Sequence, residues 1–209
     1  MNRTRPDLPK RISADLASPL HPVTIPTCEL IGRLGRYHAL VAMTQDSTIS
    51  KLGELIASGV PVYPDDPCPH PVMSEAEIEE VENEIGFRIP HLLRRIYKEI
   101  GNGWYTDRSE LIGLKGGHKT EHEFDAVADY LEQSANMKWF KQHLLLSDLG
   151  CCMFSYVDCS VDNGPVFRFD GNWFDPDSES HKQLPNDKFW QLEAKDLATW
   201  LEQPKPKNA

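Results

Sequence analysis

The side chains best suited to chemistry in this sequence are its histidines, cysteines and carboxylates. His118-Lys119-Thr120-Glu121-His122 spells the H-x-x-E-H pattern, in which two imidazoles on one helical face hold zinc beside the glutamate that works on its water. Gly116-Gly117 come directly before it, and no run of aliphatic residues nearby would bury a catalytic helix. The expectation is therefore two solvated loop histidines, with a zinc hydrolase using His118, Glu121 and His122 as the minor alternative. Cys68-Pro69-His70 and the trio Cys151, Cys152 and Cys159 offer other soft donors, but neither has the paired spacing of a zinc knuckle. On a strand, Cys151 and Cys152 would face opposite sides, which makes at least one a small core residue. No Gly-x-Ser-x-Gly, P-loop or dinucleotide fingerprint occurs, and no cysteine stands beside a helix start or basic activator. The reading is a non-enzyme with no catalytic residue, cofactor or metal assigned.

The carboxylates point elsewhere. Residues 75–84 contain six glutamates and no Lys or Arg, and like charges packed so closely repel one another. The default reading of such a run is a solvated helix face, but its density makes a basic partner surface the expected complement. The whole chain carries a formal −10; residues 1–42 hold six Lys or Arg against three Asp or Glu, which leaves −13 on residues 43–209. A field of that sign repels nucleic acid and anionic membrane and speeds association with a basic protein. Five cysteines, an odd number without C-x-x-C spacing, suit free thiols in a reducing compartment. With no apolar run long enough for a span and no secretory leader, the expected location is the cytoplasm.

These groups must be positioned by the surrounding elements, and Ser74 to Gly103 is the stretch that declares them most clearly. Ser74 and Glu77 form a capping box, and Ile78, Val81 and Ile85 recur at helical spacing. Gly86 suits a left-handed helix end, and Ile89 before Pro90 is pushed towards an extended conformation, so a tight corner is expected at 86–89. Pro90 opens a second, core helix through Leu92, Leu93, Ile96, Tyr97 and Ile100, and Gly101-Asn102-Gly103 ends it sharply. Acidic helix, Gly-Phe-x-Ile-Pro corner, apolar helix and Gly-Asn-Gly exit together resemble the SUKH superfamily, the Smi/Knr type, widespread in bacteria as immunity proteins.

Before this stretch, Ser47 to Ser58 reads as an amphipathic helix stopped by Gly59, and Pro61 to Pro71, with five prolines in eleven residues, as an extended connector. Residues 1–42 read as an irregular extension, and Met43-Thr44-Gln45-Asp46 as a natural start ahead of the first helix. After Gly103, Glu110 to Leu114 is a short strand, Lys115-Gly116-Gly117 a turn, and Phe124, Val127, Tyr130 and Leu131 mark a helix within 121–133. That helix is expected to be acidic outside through Glu121, Glu123, Asp125, Asp129 and Glu132. Cys151–Asp158, Pro165–Asp170 and Asn172–Phe174 are expected to pair as an antiparallel meander turning at Asn163-Gly164 and Asp170-Gly171. The spacing of Leu144 to Asp158 resembles the family's second signature, in which a strand ends at an Asp-x-Gly turn and the next strand follows. Ala194 to Gln203 closes the fold as a helix, and 204–209 is a tail.

The order of elements is that of an α+β domain, a single SUKH-like domain over 43–203 with an antiparallel or mixed sheet packed against helices. The 115–143 segment is an insertion relative to the family pattern. The resemblance implies an immunity protein that binds a cognate toxin and occludes its active site or substrate groove, and the acidic field suits a basic target such as a nuclease. The alternative it implies is a general intracellular adaptor of the fungal Smi/Knr type. For the partner surface, the sequence offers the acid-rich face at Glu75, Glu79 and Glu82 and the region of Trp104, Tyr105 and Asp107. Neither nucleic acid nor membrane is expected as a partner, and the oligomeric state is left open.

Overall fold

A computed structural model of the chain describes residues 45–137, 140–175, 177–183 and 189–203. The extension over 1–42, Met43, Trp139 and the tail after Gln203 lie outside the described residues. The first described element is a helix over 45–57, α1, which buries Leu52 and Ile56. The proline-rich connector follows with no helix or strand of its own; Pro61 forms an isolated bridge with Thr106, and the Val62 amide donates to the Tyr105 carbonyl.

Helix α2, Glu75–Ile85, begins at the expected capping box: Ser74 accepts from the Glu77 amide while the Glu77 side chain accepts from the Ser74 amide. It ends at Gly86, whose φ of 82° is the left-handed conformation that a Cβ would resist. Helix α3, His91–Glu99, follows with Pro90 at its N-cap. Ile78, Leu93, Ile96 and Tyr97 are fully buried, and each aliphatic side chain so enclosed contributes about 2 kcal/mol through removal from water. Tyr97 keeps its hydroxyl satisfied inside the core by donating to the Ile112 carbonyl at 3.0 Å.

Strands β1, Trp104–Tyr105, and β2, Glu110–Leu111, make a two-stranded antiparallel ladder. The strand expected over 110–114 is therefore short. Beyond Leu111 the chain leaves β1 and its Ile112 amide donates instead to Leu146, because Gly113 and the 115–117 turn redirect it. Helix α4, Ala126–Asn136, starts later than the expected 121–133 because Asp125 caps the amides of Val127 and Ala128. Glu121 and Glu123 thus precede the helix, and Asp129, expected on its outer side, is 7% exposed.

The main sheet is an antiparallel meander in the order β3-β4-β5-β6, formed by His143–Gly150, Met153–Asp158, Val166–Asp170 and Trp190–Ala194. A meander was expected, but its membership differs. Asn172–Phe174 is not a strand: residues 171–173 form a single 3-10 turn, with Asp170 accepting from the Asn172 amide. The fourth strand is instead Trp190–Ala194, whose thin alternation hides its strand character. Cys151 and Cys152, expected within a strand, are the two-residue hairpin between Gly150 and Met153. Both have positive φ, 49° and 60°, as a type I′ turn requires. Helix α5, Glu179–Gln183, is short, and α6, Leu197–Glu202, starts at the Asp196 cap and buries Leu197 and Trp200. Helix α4 packs on β3, and Leu144, Leu145 and Leu146 are buried in succession, as expected of a strand covered on both faces. The architecture is that of a single α+β domain. No helix among the described residues is long and apolar enough to cross a membrane.

Candidate functional site

The acidic run on α2 is largely neutralised within the molecule. Glu77 is occupied by the cap. Glu75 faces Arg94 and Lys98 of α3, and these cations, Lys98 foremost, hold its carboxyl below the usual carboxylate range. Glu84 meets Lys115 at 3.0 Å. Glu82, expected on the partner-facing side, is 6% exposed and belongs to the interior. Its Oε1 accepts from the Ile89 amide at 2.9 Å, Oε2 meets Arg88 at 3.2 Å, and Arg94 closes the remaining side. The reason lies in the corner after Gly86, which folds back over the last turn of α2 and leaves the Ile89 amide in need of an acceptor. A paired, hydrogen-bonded carboxylate there is structural. Glu79 and Glu80 stay exposed and make no hydrogen bond or ion pair among the described residues.

The second expected region also divides. Trp104 is 1% exposed, with its indole N–H donating to Ser109 Oγ at 3.0 Å. It is a core residue and offers no surface anchor, because β1 turns its ring inward beneath the 106–109 turn. Asp107 is exposed, and its carboxylate accepts from the Val60 amide at 2.8 Å. Tyr105 is half-buried, edge-on to Tyr63 with ring centroids 5.7 Å apart.

Tyr105 opens onto a groove that sequence reasoning did not assemble. A cavity of about 300 Å³ has in its lining Tyr63, Tyr105, Glu110, His118, Lys119, Glu121, His122, Asp148 and the 150–152 turn. Glu110 sets its back wall, accepting from Ser147 Oγ at 2.6 Å and from the Asp148 amide at 3.0 Å, and so tying β2 to β3. Burial pushes the Asp148 carboxyl up, and the charges of Glu110 and Glu121 add to that, against the Gly150 amide and His122. The Tyr63 hydroxyl is pushed up by partial burial and then by Glu121. Both shifts come first from burial, with neighbouring carboxylates adding to it. Carboxylates beside two tyrosine rings suit a guanidinium or ammonium group. No nucleophile paired with a base is present among these residues. Asp148 belongs to the Asp-x-Gly sequence flagged as a turn but lies near the end of β3, with the turn itself at Cys151-Cys152; Tyr63 and Glu110 come from separate segments and carry no signal of their own.

The H-x-x-E-H letters do not form the motif's geometry. Residues 118–124 contain no helix, so the imidazoles lack a common helical face. His122 is exposed, as expected, but His118 is 3% exposed and contradicts the expectation of a solvated loop residue. Its amide donates to the Asn102 carbonyl and its carbonyl accepts from the Gly113 amide, which draws the ring under the Gly101–Gly103 turn. Gly103 makes room for this: its φ is 88°, and a Cβ would lie 2.8 Å from that of His118. The buried ring sits between carboxylates, with Nδ1 3.3 Å from Asp66 Oδ2 and Nε2 3.7 Å from Glu110 Oε1. All four cysteines among the described residues are free thiols, and burial first, with Asp158, pushes that of Cys159 well up.

Among curated proteins, none matches the chain significantly. A family model described as SMI1 / KNR4 family (SUKH-1) matches residues 73–203. That span opens one residue before the Ser74 cap and runs through α6, taking in the Gly86 corner, the Gly-Asn-Gly exit and the whole meander. Matched over well over half of its length, the chain belongs to the SMI1 / KNR4 family (SUKH-1).

Proposed function

We propose that this chain is an immunity protein: it binds a cognate, basic bacterial toxin in the cytoplasm and covers the toxin's active site or substrate groove. Family membership supports a binding role without catalysis of its own. The observation that carries the basic-partner reading is the groove beside Tyr105, where Glu121 makes no hydrogen bond or ion pair among the described residues and Asp148 and Glu110 add to its field. Lys119, the nearby cation, is directed to Glu123 at 3.4 Å. Tyr63, 43% exposed, and Tyr105 supply flat contact area at low entropic cost beside those charges. Glu79 and Asp107 are further exposed acids, Glu75 is paired with Arg94 and Lys98, and Glu82 and Trp104 act by holding the scaffold.

The test is co-expression with the protein product of the adjacent gene, growth rescue when that product is induced, and association kinetics of the purified pair. Rescue and a stable complex are expected. Glu121→Lys combined with Glu79→Lys should slow association several-fold at low ionic strength, with the difference fading at about 0.5 M salt as screening shortens to a few ångströms. Absence of both rescue and complex would refute the immunity reading. A complex whose association rate ignores the reversals and the salt would refute the acidic interface.

A further inference from the structure

Beside the groove, and sharing His118 with its lining, the proline-rich connector and the 115–123 loop bring three nitrogen and oxygen donors to one point. Asp66 Oδ2 lies 3.1 Å from His70 Nε2 and 3.3 Å from His118 Nδ1, and these three atoms all fall within 4.8 Å of one another. A tetrahedral ion with bonds of about 2.1 Å holds neighbouring donors about 3.4 Å apart. We propose that Asp66, His70 and His118 form a site for a divalent transition ion of the zinc class, with imidazole and carboxylate donors and a position left for water.

Two independent features favour this over a plain hydrogen-bonded cluster. The first is the proton on His118. If Nδ1–H donates to Asp66, a neutral ring turns the lone pair of Nε2 towards the carboxylate of Glu110, and Nε2 is buried without a hydrogen-bond partner. An ion on Nδ1 moves the proton to Nε2, which lies 3.7 Å from Glu110 Oε1; a carboxylate behind the far nitrogen is the usual support of a ligating histidine. The second is backbone positioning. The His70 amide donates to the Gly103 carbonyl at 2.9 Å, and the His118 amide donates to the Asn102 carbonyl at 3.0 Å. One turn therefore presents both rings, and ligands held on a rigid turn are placed before the ion arrives. Asp66, with 38% of its side chain exposed, leaves a path for entry. Asp66 and His70 precede the residues that the family model matches, and His118 lies within them.

The experiment is titration of chelator-treated full-length protein with Zn²⁺ by calorimetry, and with Co²⁺ as an optical probe, and it does not involve the toxin. One ion per chain is expected, with visible Co²⁺ bands and no thiolate charge-transfer band. His70→Gln and Asp66→Asn should each weaken binding at least tenfold, while the Cys151→Ser, Cys152→Ser double variant binds as the parent does. Asp66→Asn changes a side chain open to solvent and keeps the readout available should His70→Gln disturb the connector. Failure of folded parent protein to take up either ion stoichiometrically overturns the proposal. Uptake that survives both substitutions, or that disappears with the cysteines, overturns it equally.

Discussion

Replacing Asp129 by Asn tests how this fold handles a carboxylate that its sequence appeared to place in water. Asp129 faces inward from α4, where Oδ1 accepts from Gln133 Nε2 and from the Tyr156 hydroxyl, each at 3.4 Å, and Oδ2 is buried without a partner. Burial pushes its carboxyl from the ordinary 3.8 up to about 6, against the two hydrogen bonds. The folded state thus holds the proton more tightly than the unfolded chain. The stability associated with the neutral form is fully present below about 3.8 and is lost as the pH rises through about 6. At about 1.4 kcal/mol for each tenfold change in proton affinity, the ionised carboxylate costs about 3 kcal/mol at neutral pH. Asn keeps the Oδ1 acceptor and cannot ionise, but its amide nitrogen takes the unpartnered position at a cost of about 1 kcal/mol. Asp129→Asn should therefore be more stable than the parent by about 2 kcal/mol near neutral pH. That advantage should shrink by about 2.5 kcal/mol on going down to about pH 4, where both side chains are largely neutral. Urea unfolding of the two proteins across this range reads the difference, and every other titrating group cancels between them. A difference that stays flat with pH to within about 0.5 kcal/mol would refute the argument, since the burial could then not be acting on the charge.

Glu82→Gln should cost about 2 kcal/mol in urea unfolding, because Arg94 then keeps Glu75 alone as its counter-charge and the buried Ile89 amide loses a charged acceptor; a loss below about 0.5 kcal/mol would refute the structural role of its charge. Glu79→Gln, on an exposed and unbonded carboxylate of the same helix, should stay within about 0.5 kcal/mol of the parent. Ser74→Ala removes the side-chain half of the capping box and should lower stability by about 1 kcal/mol, read as a shift of the thermal midpoint. Gly103→Ala should cost more than either surface change, about 2 kcal/mol or above, because the residue combines a positive φ with a Cβ that would meet the Gly113 amide and the His118 Cβ. Near-neutral behaviour would show that the 101–103 turn can relax.

Local rules were enough for everything settled within one helical turn. The Ser74–Glu77 box, the Gly86 stop, the stripe through Ile78, Leu93 and Ile96, and the hairpin after Asp148-Leu149-Gly150 all follow from chemistry between near neighbours. Together they made the family and the α+β class legible. Where Cys151 and Cys152 were read as strand residues, the conformation belongs to a two-residue turn that their side chains do not advertise. The strand at Trp190–Ala194 was missed because its outer positions are polar and its partner strand is 20 residues away in β5.

What the sequence by itself determined is the run of elements from the Ser74 cap to the Gly-Asn-Gly exit, the α+β class, the negative charge and the lack of any strong catalytic motif. Which charges are spent and which remain was decided only by the fold. Arg94, Lys98 and Lys115 reach glutamates that a linear count left exposed, and Glu82 and Asp129 turn inward. Conversely Tyr63, Tyr105, Glu121 and Asp148 converge from four segments, and Asp66, His70 and His118 from two, to make sites with no linear signature. The physical reason is that Coulomb and ligand-binding interactions act over a few ångströms of space, while the order of residues records only neighbours along the chain.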